Sequence, residues 1–118
     1  MVGVALDRFA RYRNGRWRVS DRIICHVIVR GRVQGVGYRA FVEDEAQRRG
    51  LQGWVRNCRD SSVEAVFAGP QAEVQSMIEA CRRGPFSARV SALDQREGTD
   101  ADLAVCAGGE MFSVLPTA

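Results

Sequence analysis

The 118-residue sequence predicts an α+β fold of ferredoxin-like type, an antiparallel sheet of four strands backed by two helices. Three observations point there. Segments of regular periodicity follow one another in the order βαββαβ. The connections between them are short. Right-handed crossovers then close that order into a split βαβ sandwich. The length suits one domain with one core. An apolar content of 46% is enough to fill that core without building a second.

Each element has its own signal. Residues 23–29 form a β-branched run interrupted only by Cys25 and His26, which reads as a strand. Gly31, Gly35 and Gly37 then mark a loop. Phe41, Val42, Ala46 and Arg49 recur at near-helical spacing, and Gly50 suits the position just past a helix end. Glu43, Asp44 and Glu45 read as early-helix charges that favour the dipole. Three consecutive acids point around a helix, so they do not make a metal site. Residues 51–58 and 62–68 read as two strands around a turn at 59–61. Gly69-Pro70 opens a second helix with Val74, Met77, Ile78 and Cys81 on one face, and Gly84-Pro85 closes it. Residues 88–96 alternate as a fourth strand, and 97–109 read as an acidic, Gly-rich loop. Residues 111–115 are expected to add a last strand that lengthens or edges the sheet.

The charge is unevenly spread. The formal net charge is +3, and all 17 basic residues are arginine. Residues 1–22 hold six arginines against two aspartates, +4, whereas residues 23–118 sum to −1. The sequence therefore divides into a basic extension at 1–22, expected to be flexible, and a near-neutral domain at 23–118. Asn14-Gly15 is a hairpin signal that would pair Tyr12 with Trp17, but it also sets Arg13 opposite Arg16 and Arg11 opposite Arg18. An arginine-aromatic arm for a polyanion and an organelle-targeting segment are further readings of the same residues.

Composition excludes several chemistries. Without lysine there is no Schiff base and no P-loop lysine. With His26 as the single histidine, a multi-histidine metal site is impossible, and a Ser-His-Asp triad would have to use that residue. His26 lies inside a strand with no partner motif and reads as structural. The cysteines at 25, 58, 81 and 106 form no CxxC pair. They are read as four free thiols in a reducing, cytoplasmic setting. No secretory signal or membrane span is expected.

The stretch that carries chemistry is Gly31 to Arg39, GRVQGVGYR. Glycines between a strand and a helix allow the backbone to approach a ligand, and the N–H groups of a helix start attract anions. Arg39 stands where the helix begins, where a cation opposes the dipole. A bound anion removes the conflict; so, less interestingly, does a surface pair with Glu43 four residues on. Asn57, at the end of a strand, reads on its own as a turn residue.

The same stretch resembles the signature loop of the acylphosphatase family, through Gly31, Val33, Gln34, Gly35, Val36, Gly37, Tyr38 and Arg39. Gly53-Trp54-Val55-Arg56-Asn57 agrees as a second block, followed by Asp60 and Val63-Glu64, and weaker agreements run through Gly69-Pro70, Gly84-Pro85 and Ala88-Arg89-Val90. The resemblance covers about residues 23–115. It implies the ferredoxin-like fold already expected and hydrolysis of acyl phosphates with no metal and no cofactor. By position it implies Arg39 as the phosphate-binding arginine and Asn57 as the residue that orients the attacking water. Gln34, Gly35, Val36, Gly37, Tyr38 and Arg39 would supply a cradle of amides. The implied partner is a small acyl phosphate, taken by a monomer with no membrane and no nucleic acid. The alternative is an idle acylphosphatase-like module used for regulation or nucleic-acid binding; base stacking would rest on Phe67 alone. One departure stands out. Asp60-Ser61 replaces the family's Asp-Gly, so a different turn is expected there.

Overall fold

The computed structural model describes residues 22–105 and 111–118. The candidate hairpin at Asn14-Gly15, the basic extension apart from Arg22, and Cys106 lie outside the described residues. Strand β1 (Arg22–Arg32) leads into helix α1 (Tyr38–Arg48). Strands β2 (Gln52–Asn57) and β3 (Val63–Pro70) follow, then helix α2 (Gln71–Arg83) and strand β4 (Arg89–Glu97). A short helix α3 (Asp100–Leu103) and strand β5 (Phe112–Val114) complete the order. Arg22, counted with the extension in the sequence, is the first residue of β1 and pairs with Pro70.

The sheet runs β4-β1-β3-β2-β5. The first four strands are antiparallel neighbours, as the βαββαβ order requires. The fifth segment edges the sheet and does so in parallel with β2, so among the described residues the sheet is five-stranded and mixed. Alternation sets its two faces. Cys25, Val27 and Val29 of β1, Val63, Ala65 and Phe67 of β3, and Val55 of β2 face the helices and are buried. Helix α1 answers with Tyr38, Val42 and Ala46, and α2 with Val74, Met77, Ile78 and Cys81. Phe67 stacks on Phe112 with centroids 5.7 Å apart, deep in this layer. It has no open face for a base, which removes the base-stacking reading. The Tyr38 hydroxyl donates to the Cys81 carbonyl at 2.7 Å and ties the start of α1 to the end of α2. A buried bond of this kind contributes about 1 kcal/mol net.

Three local expectations need correction. The stretch read as loop at 97–109 contains α3, which Thr99 and Asp102 cap reciprocally. Helix α1 begins at Tyr38, so its first turn holds no acid. Asp44 and Glu45 sit deeper in the helix and pair with Arg48 and Arg49, one turn on, rather than with the dipole. At the β2–β3 turn, Ser61 takes φ 78°, the left-handed conformation that Gly adopts more easily. The turn keeps that geometry despite the serine, because the Asp60 carboxylate accepts from both the Ser62 N–H and the Ser62 hydroxyl.

Candidate active site

Strand direction brings the site together. Strands β1 and β2 both run antiparallel to β3, so their C-terminal ends lie at the same edge of the sheet. Strand β5 runs parallel to β2 and ends there too. The loop after β1, Asn57 at the end of β2, and Val114 at the end of β5 thus converge. They enclose a cavity of about 400 Å³. Gly35, Gly37, Tyr38 and Arg39 line it from the loop and the start of α1, and Asn57 and Val114 from the strands. Val33, Ala40 and Glu43 complete the wall. Gln34 and Val36, expected in the cradle, do not line it with their side chains.

Among the described residues the loop leaves its backbone N–H groups without partners. Gly35 and Gly37 take φ 73° and 79°, and Gly37 is the residue that caps α1. The first turn of a helix leaves its N–H groups without acceptors. Among the described residues, no backbone carbonyl or side chain accepts from the N–H groups of Gly35, Val36, Gly37, Tyr38 or Arg39. The Gln34 side chain meanwhile ties the loop down, donating to the carbonyls of Cys58 and Ser62 at 2.8 Å each. On the other side, the Ser87 hydroxyl donates to the Val36 carbonyl at 2.7 Å. A trans peptide holds its C=O and N–H on opposite sides. Fixing the Val36 carbonyl toward Ser87 therefore turns the Gly37 N–H away from Ser87. No sequence signal pointed to Ser87.

Arg39 is half-buried in the first turn of α1, at the positive end of the helix dipole. The surface pair with Glu43 does not form: among the described residues Arg39 has no carboxylate partner, while Asp44 and Glu45 are engaged elsewhere. Asn57 shows a second unmet demand. Its Oδ1 is buried with no hydrogen-bond donor. Its backbone is fixed by Ala118, whose N–H donates to the Asn57 carbonyl at 3.0 Å. The unpaired Arg39 and the loop residues Gly35, Gly37 and Tyr38, with their unpaired N–H groups, thus share one cavity wall with Asn57. Together they suit a small tetrahedral oxyanion and a water beside it.

The remaining candidate residues fall elsewhere. His26 lies on the opposite face of the sheet, with Nε2 2.7 Å from Glu64 Oε2, and Arg56 donates to Glu64 Oε1 at 2.8 Å. Burial pushes the Glu64 carboxyl up, but the hydrogen bonds from His26 and Arg56 outweigh it and leave it below the ordinary range. Trp54 is buried on that face and donates through Nε1 to the Asp102 carbonyl at 2.8 Å, so it packs and binds no substrate. Cys25, Cys58 and Cys81 are free thiols. Burial pushes Cys25 up to about 11 and Cys81 up to about 12, which makes both unreactive. Among the described residues no cluster of His, Cys, Asp or Glu could hold a metal, and no helix is long and apolar enough to cross a membrane.

The acylphosphatase family model matches residues 25–104, which include the whole loop and Asn57. The chain belongs to the acylphosphatase family. An acylphosphatase of Rhodopseudomonas palustris strain BisB18 is 58% identical over 95 residues, covering 80% of this chain and 96% of that protein. One from Bradyrhizobium diazoefficiens is 53% identical over 97 residues, covering 82% and 98%. Among solved structures, the acylphosphatase of Bacillus subtilis superposes with a TM-score of 0.69 at 38% identity, covering 79% of this chain and 98% of that one. The acylphosphatase body is thus spanned almost end to end.

Proposed function

We propose that the chain hydrolyses acyl phosphates to a carboxylate and inorganic phosphate, by attack of water on phosphorus, with Arg39 and Asn57 as its catalytic residues. The observation that carries the reading is the convergence of unpaired Arg39, the loop residues with unpaired N–H groups, and Asn57 on one cavity. The Arg39 guanidinium and the N–H groups from Gln34 to Arg39 hold the phosphoryl oxygens and stabilise charge gathering there. The Asn57 side-chain amide, at the cavity wall, hydrogen-bonds the attacking water and sets its approach. A new P–O bond forms to that water as the P–O bond to the acyl group breaks. The electron pair leaves with a carboxylate whose conjugate acid has a pKa of about 4, so no general acid is needed. The water's proton passes to a phosphoryl oxygen. This division of labour needs neither cofactor nor metal.

The site is built within one chain, which supports a monomer, and the free thiols of Cys25, Cys58 and Cys81 fit a reducing cytoplasm. Turnover of benzoyl phosphate tests the reading. Arg39→Ala is expected to abolish measurable hydrolysis, and Asn57→Ala to lower kcat by about 10²–10³-fold, as for loss of one transition-state contact. Either variant turning over near the wild-type rate would overturn the assignment.

A further inference from the structure

The phosphate cavity does not end at Val114. A second cavity of about 380 Å³ adjoins it and shares two of its wall residues, Glu43 and Val114. It is continued by Gln47 on α1 and by Met111, Phe112 and Ser113 on β5. Glu43 and Gln47 are one helical turn apart and so line the same side of α1. The result is a groove between α1 and the edge strand, opening from the phosphate site. Its exposed apolar surface comes from Met111, 53% exposed, and Val114, 40% exposed. Among the described residues Glu43 is the single ionisable side chain on it, and it stands at the junction of the two cavities.

We propose that this groove receives the acyl half of the substrate, and that the protein selects acyl phosphates whose acyl group is apolar and carries no negative charge. The inference rests on the acyl phosphatase reading above. A phosphoryl group held by Arg39 and the loop amides leaves its acyl substituent pointing out of the first cavity, and Val114 is the wall common to both. An apolar substituent covers Val114 and Met111 and removes them from water. A carboxylate there meets Glu43 in a partly buried setting, where like charges repel more strongly than in bulk water.

Two ratios of kcat/KM test this. The first compares benzoyl phosphate with 4-carboxybenzoyl phosphate in wild type and Glu43→Gln. Wild type is expected to favour the uncharged substrate by about 10-fold, and Glu43→Gln to narrow that preference about 5-fold. The second compares benzoyl with acetyl phosphate in wild type and Val114→Ser, where the preference for the larger group is expected to fall about 5-fold. Val114→Thr, which keeps the β-branched shape, serves if the serine variant does not fold. The proposal requires both ratios to move; either one unchanged overturns it while leaving the hydrolase reading intact. If wild type hydrolyses neither benzoyl nor acetyl phosphate, the hydrolase reading fails and takes this one with it.

Discussion

Asn57 holds the clearest tension between stability and activity at the scale of single residues. A buried acceptor without a donor costs about 1–3 kcal/mol, and folded proteins rarely tolerate one without reason. On the proposed mechanism the Asn57 amide is kept for water placement, so removing it should separate the two quantities. Asn57→Ala is expected to hold stability or raise it by up to about 1 kcal/mol, while the same variant loses most turnover. Urea unfolding followed by circular dichroism checks this; a loss above about 2 kcal/mol would make Asn57 a structural residue instead. Arg39 and Asn57 were both legible in the sequence, one through its glycine-rich surroundings and both through family position. Their demands were not. That Arg39 stays free of Glu43 depends on where α1 begins and how its side chains fan out. That Asn57 Oδ1 is an orphan depends on packing around the end of β2. Glu43 and Val114 escaped as wall residues because they meet only when a helix and a strand far apart in sequence share an edge.

At the scale of elements, the loop between β1 and α1 is held from two sides. Gln34 fastens it to the β2–β3 turn, and Ser87 fastens it to the loop between α2 and β4. On the proposed mechanism Ser87 touches no reacting atom and acts as a positioning residue, through its hold on the Val36–Gly37 peptide. Ser87→Ala is expected to raise KM for an acyl phosphate, and the inhibition constant of inorganic phosphate, each about 3–10-fold, the worth of one modest hydrogen bond. The kcat value should stay within about 2-fold, and Ser87→Thr should restore KM. A fall in kcat with KM unchanged would contradict this role. The major elements were legible because Val and Ile alternation and the 3.6-residue stripes of α1 and α2 are strong signals. Helix α3 was not, since four residues show no periodicity. Its one signal was the capping pair Thr99 and Asp102 at the right spacing. The parallel pairing of β5 with β2 had no local signal, because direction in a sheet is set by the path of the whole chain.

Across the whole molecule, the face of the sheet away from α1 and α2 is closed by polar fasteners around α3 rather than by a second apolar layer. Thr99 and Asp102 cap α3, Arg96 of β4 reaches Asp102 at 3.1 Å, and the Asp102 carbonyl takes the Trp54 indole N–H. Arg56 lies over the Trp54 ring at 4.7 Å and is itself held by Glu64. The hydrogen bond from Arg96, helped by the Thr99 backbone, holds the Asp102 carboxyl down from 3.8 to about 2. A carboxyl depressed on folding stabilises the folded state above its unfolded pKa and loses that contribution as pH falls through the folded one. The Asp102 contribution is therefore complete above pH 3.8 and lost toward pH 2. Glu64, also depressed, weakens in the same direction. Trp54 reports on this face directly if Trp17 is first replaced, as in Trp17→Phe. In that background the emission of Trp54 is expected to shift to the red between pH 3.8 and about 2, as α3 lifts from the indole. Asp102→Asn keeps the backbone carbonyl but not the carboxylate, so it should shift emission already at neutral pH and flatten the change in that window. Acyl phosphate turnover at neutral pH should persist in that variant, because Asn57 and the loop lie on the other face of the sheet. An emission profile identical to that of the parent would show that packing of Trp54, and not the Asp102 fastener, holds this face closed.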